Sequence, residues 1–266
     1  MKKQKGKTIE VIILMAGEGR RMRPLTEDRP KALLNLKDGN SIFSYIVRSF
    51  EKISDNLKII PIYGHGAEVV EETLGNYRGK TRFSPVFNPF YKETGPLISL
   101  WLGLFRTTGD TLVVINGDTM VTEDLTEKLR DWMESNESSG GAGLCVSKAD
   151  HYSMDDMKVH VGGGGFFRAV GKHLEPNEHT LKSAGVFVAD GEAEVKKLKN
   201  KVQELVKQPH TSGTKFHWHN VVNEMSSIIP VKCIETPGNS WCEMDTPEEF
   251  QQYKDDNGVE DDNGVK

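Results

Sequence analysis

The chain has 266 residues, a formal net charge of −5 and a pI of about 5.9. This acidic balance disfavours a basic face for duplex nucleic acid, so no nucleic-acid partner is expected. The three cysteines, Cys145, Cys233 and Cys242, form no Cys-x-x-Cys pair, which favours reduced thiols. The basic amino terminus leads into a short apolar run without a cleavage site. We therefore expect no signal peptide, no membrane span and a cytoplasmic location.

The first 125 residues alternate between strand-like and helix-like segments. The predicted strands span residues 9–15, 57–63, 82–87 and 112–116. The predicted helices span residues 41–53, 67–74 and 97–105. This alternation predicts right-handed crossovers and a mostly parallel sheet. Ligands of such sheets bind beyond the carboxyl ends of the strands, so the loop at residue 17 and the Asn116-Gly117-Asp118 turn should share one site.

The sequence of the second half of the chain predicts shorter strands that are separated by glycine-rich segments. Turns are predicted at residues 140–143 and 162–165, with short strands near Lys158, Phe166 and Val186. We interpret them as a small antiparallel layer on one side of the site. Residues 1–254 are predicted to form one domain, with halves at 9–125 and 140–245. The tail, 255–266, repeats Asp-Asp-Asn-Gly-Val and is predicted to be disordered.

The loop after the first strand carries the most specific pattern in the chain. Residues 17–31 read G-x-G-x-R-M-x-P-L-T-x-x-x-P-K. A dinucleotide-binding loop would need glycine where Met22 stands, and a Walker loop would need Gly-Lys-Ser/Thr. A glycine turn after a strand exposes backbone N–H groups that can bind an anion. Arg21 and Lys31 are cations within reach of that anion.

This pattern resembles the signature of the nucleotidyltransferases that make NDP-sugars and CDP-alcohols. The resemblance implies an α/β, three-layer Rossmann-like sandwich with a mostly parallel mixed sheet, the GT-A-like nucleotidyltransferase fold. The antiparallel layer would then lie on the acceptor side. The nucleotide would be bound by residues around the signature, namely Met15, Ala16, Gly17, Gly19 and Arg20.

Carboxylates at two places are candidate ligands for Mg²⁺, the cofactor that this chemistry needs. Asp118 ends an apolar strand, where a charge is costly unless it is paired or metal-bound. Glu243 and Asp245 share one face of an extended segment. Asp245 or Thr246 could instead cap the helix that follows. The resemblance assigns Asp118 and Asp245 to Mg²⁺, with Glu243 as a further candidate.

The predicted reaction is attack by an acceptor oxygen on the α-phosphorus of a nucleoside triphosphate. Arg21 and Lys31 are the catalytic cations predicted on the pyrophosphate side. Lys158 is the acceptor-side catalytic cation, because Asp156-Met157-Lys158-Val159 resembles the CTP-using branch of the family. A solvated lysine on an edge strand is the alternative. Lys172 and Arg168 are further acceptor-binding candidates.

Two segments depart from sugar-specific members and look like the CTP-using branch, whose members load phosphocholine or small phosphonates. They are residues 88–101 and Gly171-Lys172-His173-Leu174, which replaces Glu-Lys-Pro. In that branch, residues at the places of Thr94, Gly95 and Ser99 lie beside the nucleotide. The prediction is a cytidylyltransferase that transfers CMP from CTP to a small phosphonate or phosphocholine-like acceptor. A sugar-1-phosphate nucleotidyltransferase and a non-catalytic nucleotide-sensing module are the alternatives.

The sequence leaves the acceptor's tail and the oligomeric state open, with a homodimer as one option. A quaternary ammonium would need aromatic faces, for which the candidates are Trp101, Tyr152, Phe166, Phe167 and Trp218. A carboxylate or hydroxyl would need more cations, for which the candidates are Lys158, Arg168, Lys172 and His173. His217 and His219 are predicted to face different sides of a helix, which favours packing or rim roles over metal binding.

Overall fold

The computed structural model describes residues 7–36, 38–135, 140–208 and 217–256. The strands are β1 (Ile9–Leu14), β2 (Leu57–Tyr63), β3 (Arg82–Phe83), β4 (Val86–Phe87), β5 (Thr111–Asn116), β6 (Thr119–Val121), β7 (Gly141–Ser147), β8 (Lys158–Gly162), β9 (Phe166–Gly171), β10 (Thr180–Asp190), β11 (Val231–Glu235) and β12 (Trp241–Glu243). The helices are α1 (Ile42–Ile53), α2 (Ala67–Asn76), α3 (Pro96–Leu104), α4 (Glu123–Ser135), α5 (Glu192–Lys207), α6 (His219–Ser226) and α7 (Pro247–Asp256).

Most strands form one mixed sheet in the order β3-β2-β1-β5-β10-β7-β11-β9-β8, with β4 also paired to β2. The pairs β1–β2, β1–β5 and β7–β11 are parallel, whereas β10 runs antiparallel to both of its neighbours, β5 and β7. The strands predicted as an antiparallel layer, β8, β9 and β10, continue this same sheet. A separate ribbon pairs β12 with β6.

Helices cover both faces of the sheet, which confirms the predicted three-layer α/β fold. Alternate side chains of β1 point to opposite faces, with Val11 and Ile13 in one apolar core and Ile12 in the other. Buried side chains of α1, α2, α4 and α7 pack in the first core. Those of α3, α5 and α6 pack in the second.

Three local predictions concern the two glycine-rich segments and the tail. The glycine-rich segment at 140–143 was wrongly predicted to be a turn, since Gly141 begins the central strand β7. The turn at 162–165 is confirmed, because it joins the antiparallel strands β8 and β9. The predicted tail overlaps α7 at Asp255 and Asp256, and residues 257–266 lie outside the described ranges.

The three cysteines are free thiols that lie buried or half-buried on strands. Cys145 and Cys233 are buried on β7 and β11, and burial raises the pKa of both thiols to about 12. Cys242 is half-buried on β12. Within the described ranges, the helices are all too short or too polar to cross a bilayer.

Candidate active site

The signature loop and the Asp118 turn meet because their strands are neighbours. β1 and β5 pair in parallel and end together, with Leu14 opposite Asn116. The Gly117 N–H donates to the Leu14 carbonyl at 2.8 Å. A Cβ atom on Gly117 would lie 2.6 Å from the Met15 Cβ, so this approach requires glycine. Together the two turns border a cleft of about 450 Å³ at the carboxyl edge of the sheet.

The two glycines of the signature, Gly17 and Gly19, have different structural roles. Gly19 has a φ of 57°, a left-handed conformation that favours glycine, and its carbonyl accepts a hydrogen bond from Thr26 Oγ1 at 2.8 Å. Gly17 lines the cleft, and a Cβ atom there would meet no heavy atom within 4 Å. The fold itself therefore leaves room for a side chain at residue 17, and the space beside it belongs to the cleft.

Lys31 lies at the centre of the charged groups in the cleft. Its Nζ donates to Asp245 Oδ1 at 2.7 Å and to Asp118 Oδ2 at 3.0 Å. Burial lowers the pKa of Lys31, but the charges of the two aspartates outweigh burial and hold it above the ordinary lysine value. The ammonium is therefore a permanent positive charge at neutral pH, shared by two carboxylates from distant parts of the chain.

Arg21 extends this network towards the opposite wall of the cleft. Its Nη2 donates to Asp245 Oδ2 at 2.8 Å, and its Nη1 donates to Asp155 Oδ2 at 3.3 Å. Asp155 Oδ1 in turn accepts from Lys172 Nζ at 3.1 Å. Burial raises the pKa of Asp245, but Lys31 and then Arg21 outweigh it, so the carboxyl titrates below its usual range. Asp155 thus links a signature cation to Lys172.

Glu243 is brought to the cleft by the pairing of β12 with β6. The register places Glu243 opposite Thr119, one residue beyond Asp118. Burial, and then the charges of Asp118 and Asp245, raise the pKa of Glu243 to about 7. This local excess of negative charge would be relieved by a bound cation.

Thr246, rather than Asp245, caps helix α7. The Thr246 Oγ1 accepts from the Glu249 N–H at 3.2 Å, and Glu249 Oε2 accepts from the Thr246 N–H at 3.1 Å. This reciprocal pair is a capping box. The side chain of Asp245 is therefore available to the cleft, where it bonds Lys31 and Arg21.

Asp118 and Asp245 fit a divalent ion that is shared with a substrate. Mg²⁺ commonly binds one or two carboxylates and completes its shell with water and substrate phosphates. Both aspartates already contact one cation, the Lys31 ammonium. Across the described residues, no group of three His, Cys, Asp or Glu side chains is arranged to hold a metal alone, and the role of Glu243 as a further ligand stays a prediction.

The start of α3 forms another wall of the cleft. Gly95 is the N-cap of this helix, and Pro96 occupies its first turn. Thr94 Oγ1 donates to the Phe90 carbonyl at 2.7 Å, which closes the preceding turn. Ser99 Oγ is buried and accepts from Asn88 Nδ2 at 3.1 Å. These contacts fix the turn that carries Thr94 and tie Ser99 of α3 to Asn88.

Most of the predicted site residues line the same cleft. They are Met15, Ala16, Gly17, Gly19, Arg20, Arg21, Lys31, Thr94, Gly95, Ser99, Asp118, Lys172, Glu243 and Asp245. Lys158 and Arg168 do not line it. Lys158 is only 4% exposed, and its Nζ donates to the Ser153 carbonyl at 3.0 Å. Arg168 is exposed and lies against Gly162 on the β8–β9 hairpin.

Because Lys158 and Arg168 do not line the cleft, their positions do not support the predicted contacts with an acceptor. They also differ from the alternative of a solvated edge lysine, because the Lys158 ammonium is turned inward onto a loop. That loop carries Asp155 into the cleft. Of the aromatic candidates, Trp218 lines the cleft, whereas Trp101, Tyr152, Phe166 and Phe167 lie elsewhere in the described chain.

Asp155 lines the cleft with no predicted binding role, and Trp218 was predicted only as one of several aromatic candidates. Asp155 has no local sequence signal, since its partner Arg21 is 134 residues away. Trp218 is buried, and its Nε1 donates to Asn116 Oδ1 at 2.7 Å. His217 and His219 also border the cleft, and burial lowers the pKa of His219 to about 3. His217 precedes α6 and His219 begins it, so the prediction that one helix turns them to different sides was wrong, and their packing or rim roles stay a prediction.

The chain resembles known proteins along most of its length. The model of the MobA-like NTP transferase domain family matches residues 11–200. The bifunctional IPC transferase and DIPP synthase of Aquifex aeolicus is 25% identical over 244 residues, covering 91% of this chain and 50% of the relative. The choline-phosphate cytidylyltransferase of Streptococcus pneumoniae is 22% identical over 254 residues, covering 93% of this chain and 97% of the relative.

A solved structure with the same fold is the inositol-1-phosphate CTP transferase from T. maritima. It superposes with a TM-score of 0.72 at 20% identity, covering 96% of this chain and 99% of that one. This chain spans about half the length, or less, of several curated relatives. The structural match shows a shared fold along both chains.

Proposed function

The chain belongs to the family of MobA-like NTP transferase domains, and from this premise we propose that it is a cytidylyltransferase. It transfers CMP from CTP to a small phosphonate or phosphocholine-like acceptor and releases pyrophosphate. Two proteins that resemble it along nearly their whole length are named a cytidylyltransferase and a CTP transferase.

The observation that carries the proposal is the convergence at Lys31. Two signature cations, Lys31 and Arg21, meet two carboxylates, Asp118 and Asp245, at one edge of the sheet. Phosphoryl chemistry needs such fixed cations, because negative charge builds on the leaving pyrophosphate and on the oxygens around phosphorus.

The proposed mechanism uses positioning and charge, without a protein nucleophile. An oxygen of the acceptor attacks the α-phosphorus of CTP, and the bond to the β-phosphate oxygen breaks. Lys31 and Arg21 stabilise the charge on the phosphates. Thr94, Gly95 and Ser99 hold the nucleoside against the start of α3. The phosphorus oxygen of the acceptor is already anionic, so the reaction requires alignment more than activation.

Asp118 and Asp245 are the residues that would hold Mg²⁺. When bound, a divalent ion supplies Lewis-acid charge stabilisation to phosphate oxygens. Glu243 lines the same cleft as the two aspartates, and a third carboxyl there adds to the negative potential that favours a cation.

Lys172 is the acceptor-side cation of the proposal. It is half-buried, lines the cleft and reaches Asp155, which also bonds Arg21. An anionic group between Lys172 and Arg21 would therefore have cations on both sides, as the Asp155 carboxylate has here.

The test measures pyrophosphate release with Mg²⁺ for each of CTP, UTP, GTP, ATP and dTTP. The acceptors are phosphocholine, 2-aminoethylphosphonate, hydroxylated and carboxylated phosphonates, and glucose-1-phosphate. Release with CTP and one small acceptor, lost in Asp118→Asn, supports the proposal. Release only with a sugar phosphate would contradict it in favour of a sugar-1-phosphate nucleotidyltransferase. Nucleotide binding without release for any acceptor would favour a nucleotide-sensing module.

A further inference from the structure

The turn between β2 and α2 supports the signature loop from outside the cleft. His65 lies in this turn, and its backbone N–H donates to the Ala16 carbonyl at 3.1 Å. The His65 Nε2 lies 2.7 Å from the Thr26 carbonyl oxygen. A carbonyl only accepts hydrogen bonds, so Nε2 carries the proton and donates it. His65 therefore bonds the loop at two points, at Ala16 before the signature and at Thr26 within it.

The contact at Thr26 continues to the glycine turn. Thr26 is fully buried, and its Oγ1 donates to the Gly19 carbonyl at 2.8 Å. Gly19 is the residue in the left-handed conformation that starts the turn of Arg20–Met22. The hydrogen bonds thus run from His65 through Thr26 to the residue that sets the direction of Arg20 and Arg21.

The glycines beside His65 bring this turn into close contact with two walls of the cleft. A Cβ atom on Gly66, which has a φ of 62°, would lie 2.8 Å from the Arg29 Cα in the second part of the signature. A Cβ atom on Gly64 would lie 2.5 Å from the ring of Tyr91. Tyr91 lines the cleft on the side of Thr94. The turn therefore touches the signature loop and the base-side wall together.

We propose that His65 is a positioning residue for nucleotide binding, which holds the signature loop in the shape that receives the triphosphate. This role rests on the proposed function. His65 is outside the set of cleft-lining residues in the described chain, so it acts through Thr26 and Ala16. Losing one hydrogen bond of this kind should weaken CTP binding about three- to tenfold.

The experiment compares His65→Leu, His65→Gln and a matched control, His160→Leu. The glutamine side chain retains an N–H donor for the Thr26 carbonyl. His160 makes the same type of bond, with its Nε2 2.9 Å from the Glu175 carbonyl, and it lies on β8 away from the cleft. The full chain is used throughout, and the melting temperature of each variant is recorded.

The measurements are the dissociation constant of CTP by calorimetry, kcat, and the KM values of CTP and of the acceptor. We expect His65→Leu to raise the CTP dissociation constant and the KM for CTP, with the acceptor KM within twofold of wild type. His65→Gln should restore CTP binding to within about twofold. His160→Leu should leave CTP binding unchanged even where it lowers the melting temperature as much as His65→Leu does.

Unchanged CTP binding in folded His65→Leu would overturn the role of His65. An equal loss in His160→Leu would also overturn it, because the effect would then follow general stability. A loss in His65→Gln as large as in His65→Leu would overturn the hydrogen-bond explanation. The wild-type arm tests the proposed function separately: a chain that binds none of the five triphosphates would overturn both, whereas normal wild-type binding confines any failure to His65.

Discussion

Replacing Lys31 by methionine tests the charge network at the centre of the cleft. The change removes the ammonium that bonds Asp118 at 3.0 Å and Asp245 at 2.7 Å, and it keeps an apolar chain of similar length. The Lys31 side chain is 10% exposed, whereas those of Asp118 and Asp245 are 36% and 31% exposed. Losing Lys31 would therefore leave two partly buried carboxylates without the cation that they share.

The cost to stability lies between two known limits. Leaving a fully buried charge unpaired costs about 3–5 kcal/mol, and breaking an exposed pair costs about 0–1 kcal/mol. Because both aspartates are about one-third exposed, we expect Lys31→Met to lower the free energy of unfolding by about 1–3 kcal/mol. Removing one fixed charge that stabilises the transition state should lower kcat by about 10²–10³-fold.

The assay pairs urea unfolding with pyrophosphate release, and Lys58→Met is the matched control. Lys58 Nζ bonds Glu10 Oε1 at 2.9 Å, and the Glu10 side chain is 1% exposed. This pair lies near the start of β1 and β2, at the edge opposite to the cleft. Lys58→Met should lower stability and keep kcat/KM within about twofold, since it leaves the cleft unaltered. A folded Lys31→Met with wild-type kcat/KM would refute the reasoning.

Four further outcomes are expected. Gly17→Ala should weaken CTP binding while changing the free energy of unfolding by less than about 0.5 kcal/mol. Gly117→Ala should destabilise the fold by about 1–3 kcal/mol through its clash with Met15, as urea unfolding would show; equal stability of the two variants would contradict this. Lys172→Met should lower kcat/KM for the acceptor at least about tenfold, and Arg168→Met should leave it unchanged in the same assay. Chelation by EDTA should abolish pyrophosphate release and added Mg²⁺ should restore it; release that persists in EDTA would count against a divalent ion.

The core of the site was predictable because it depends on short-range patterns and on one rule of sheet geometry. An apolar strand followed by Gly17, and another followed by Asp118, place two turns at the same edge of a parallel sheet. The segment at Glu243 and Asp245 was also recognisable from alternation, although only the β12–β6 register shows how it reaches Asp118.

The mispredicted parts depend on contacts between distant residues. The glycines at 140–143 suggested a turn, yet a Cβ atom on Gly143 would lie 2.6 Å from the Ile234 Cδ1 of the neighbouring strand. Glycine is used there for close packing inside the sheet. Similarly, the Lys158 side chain turns towards the Ser153 carbonyl, and residue type alone does not predict that direction.

Strand β10 has a consequence for how acceptor preference can change. It is hydrogen-bonded to β5, which leads to Asp118, and to β7 and β8, which lead to the loop bearing Asp155. Neighbouring strands keep a spacing of about 4.8 Å, so this pairing sets the distance between the Asp118 turn and the Asp155 loop, which are the proposed nucleotide and acceptor walls. Residues 148–157 leave the sheet and can vary in length and composition without moving Asp118. If the chain acts as proposed, its acceptor preference can therefore diverge by replacement of this loop, while the spacing of the strands stays unchanged.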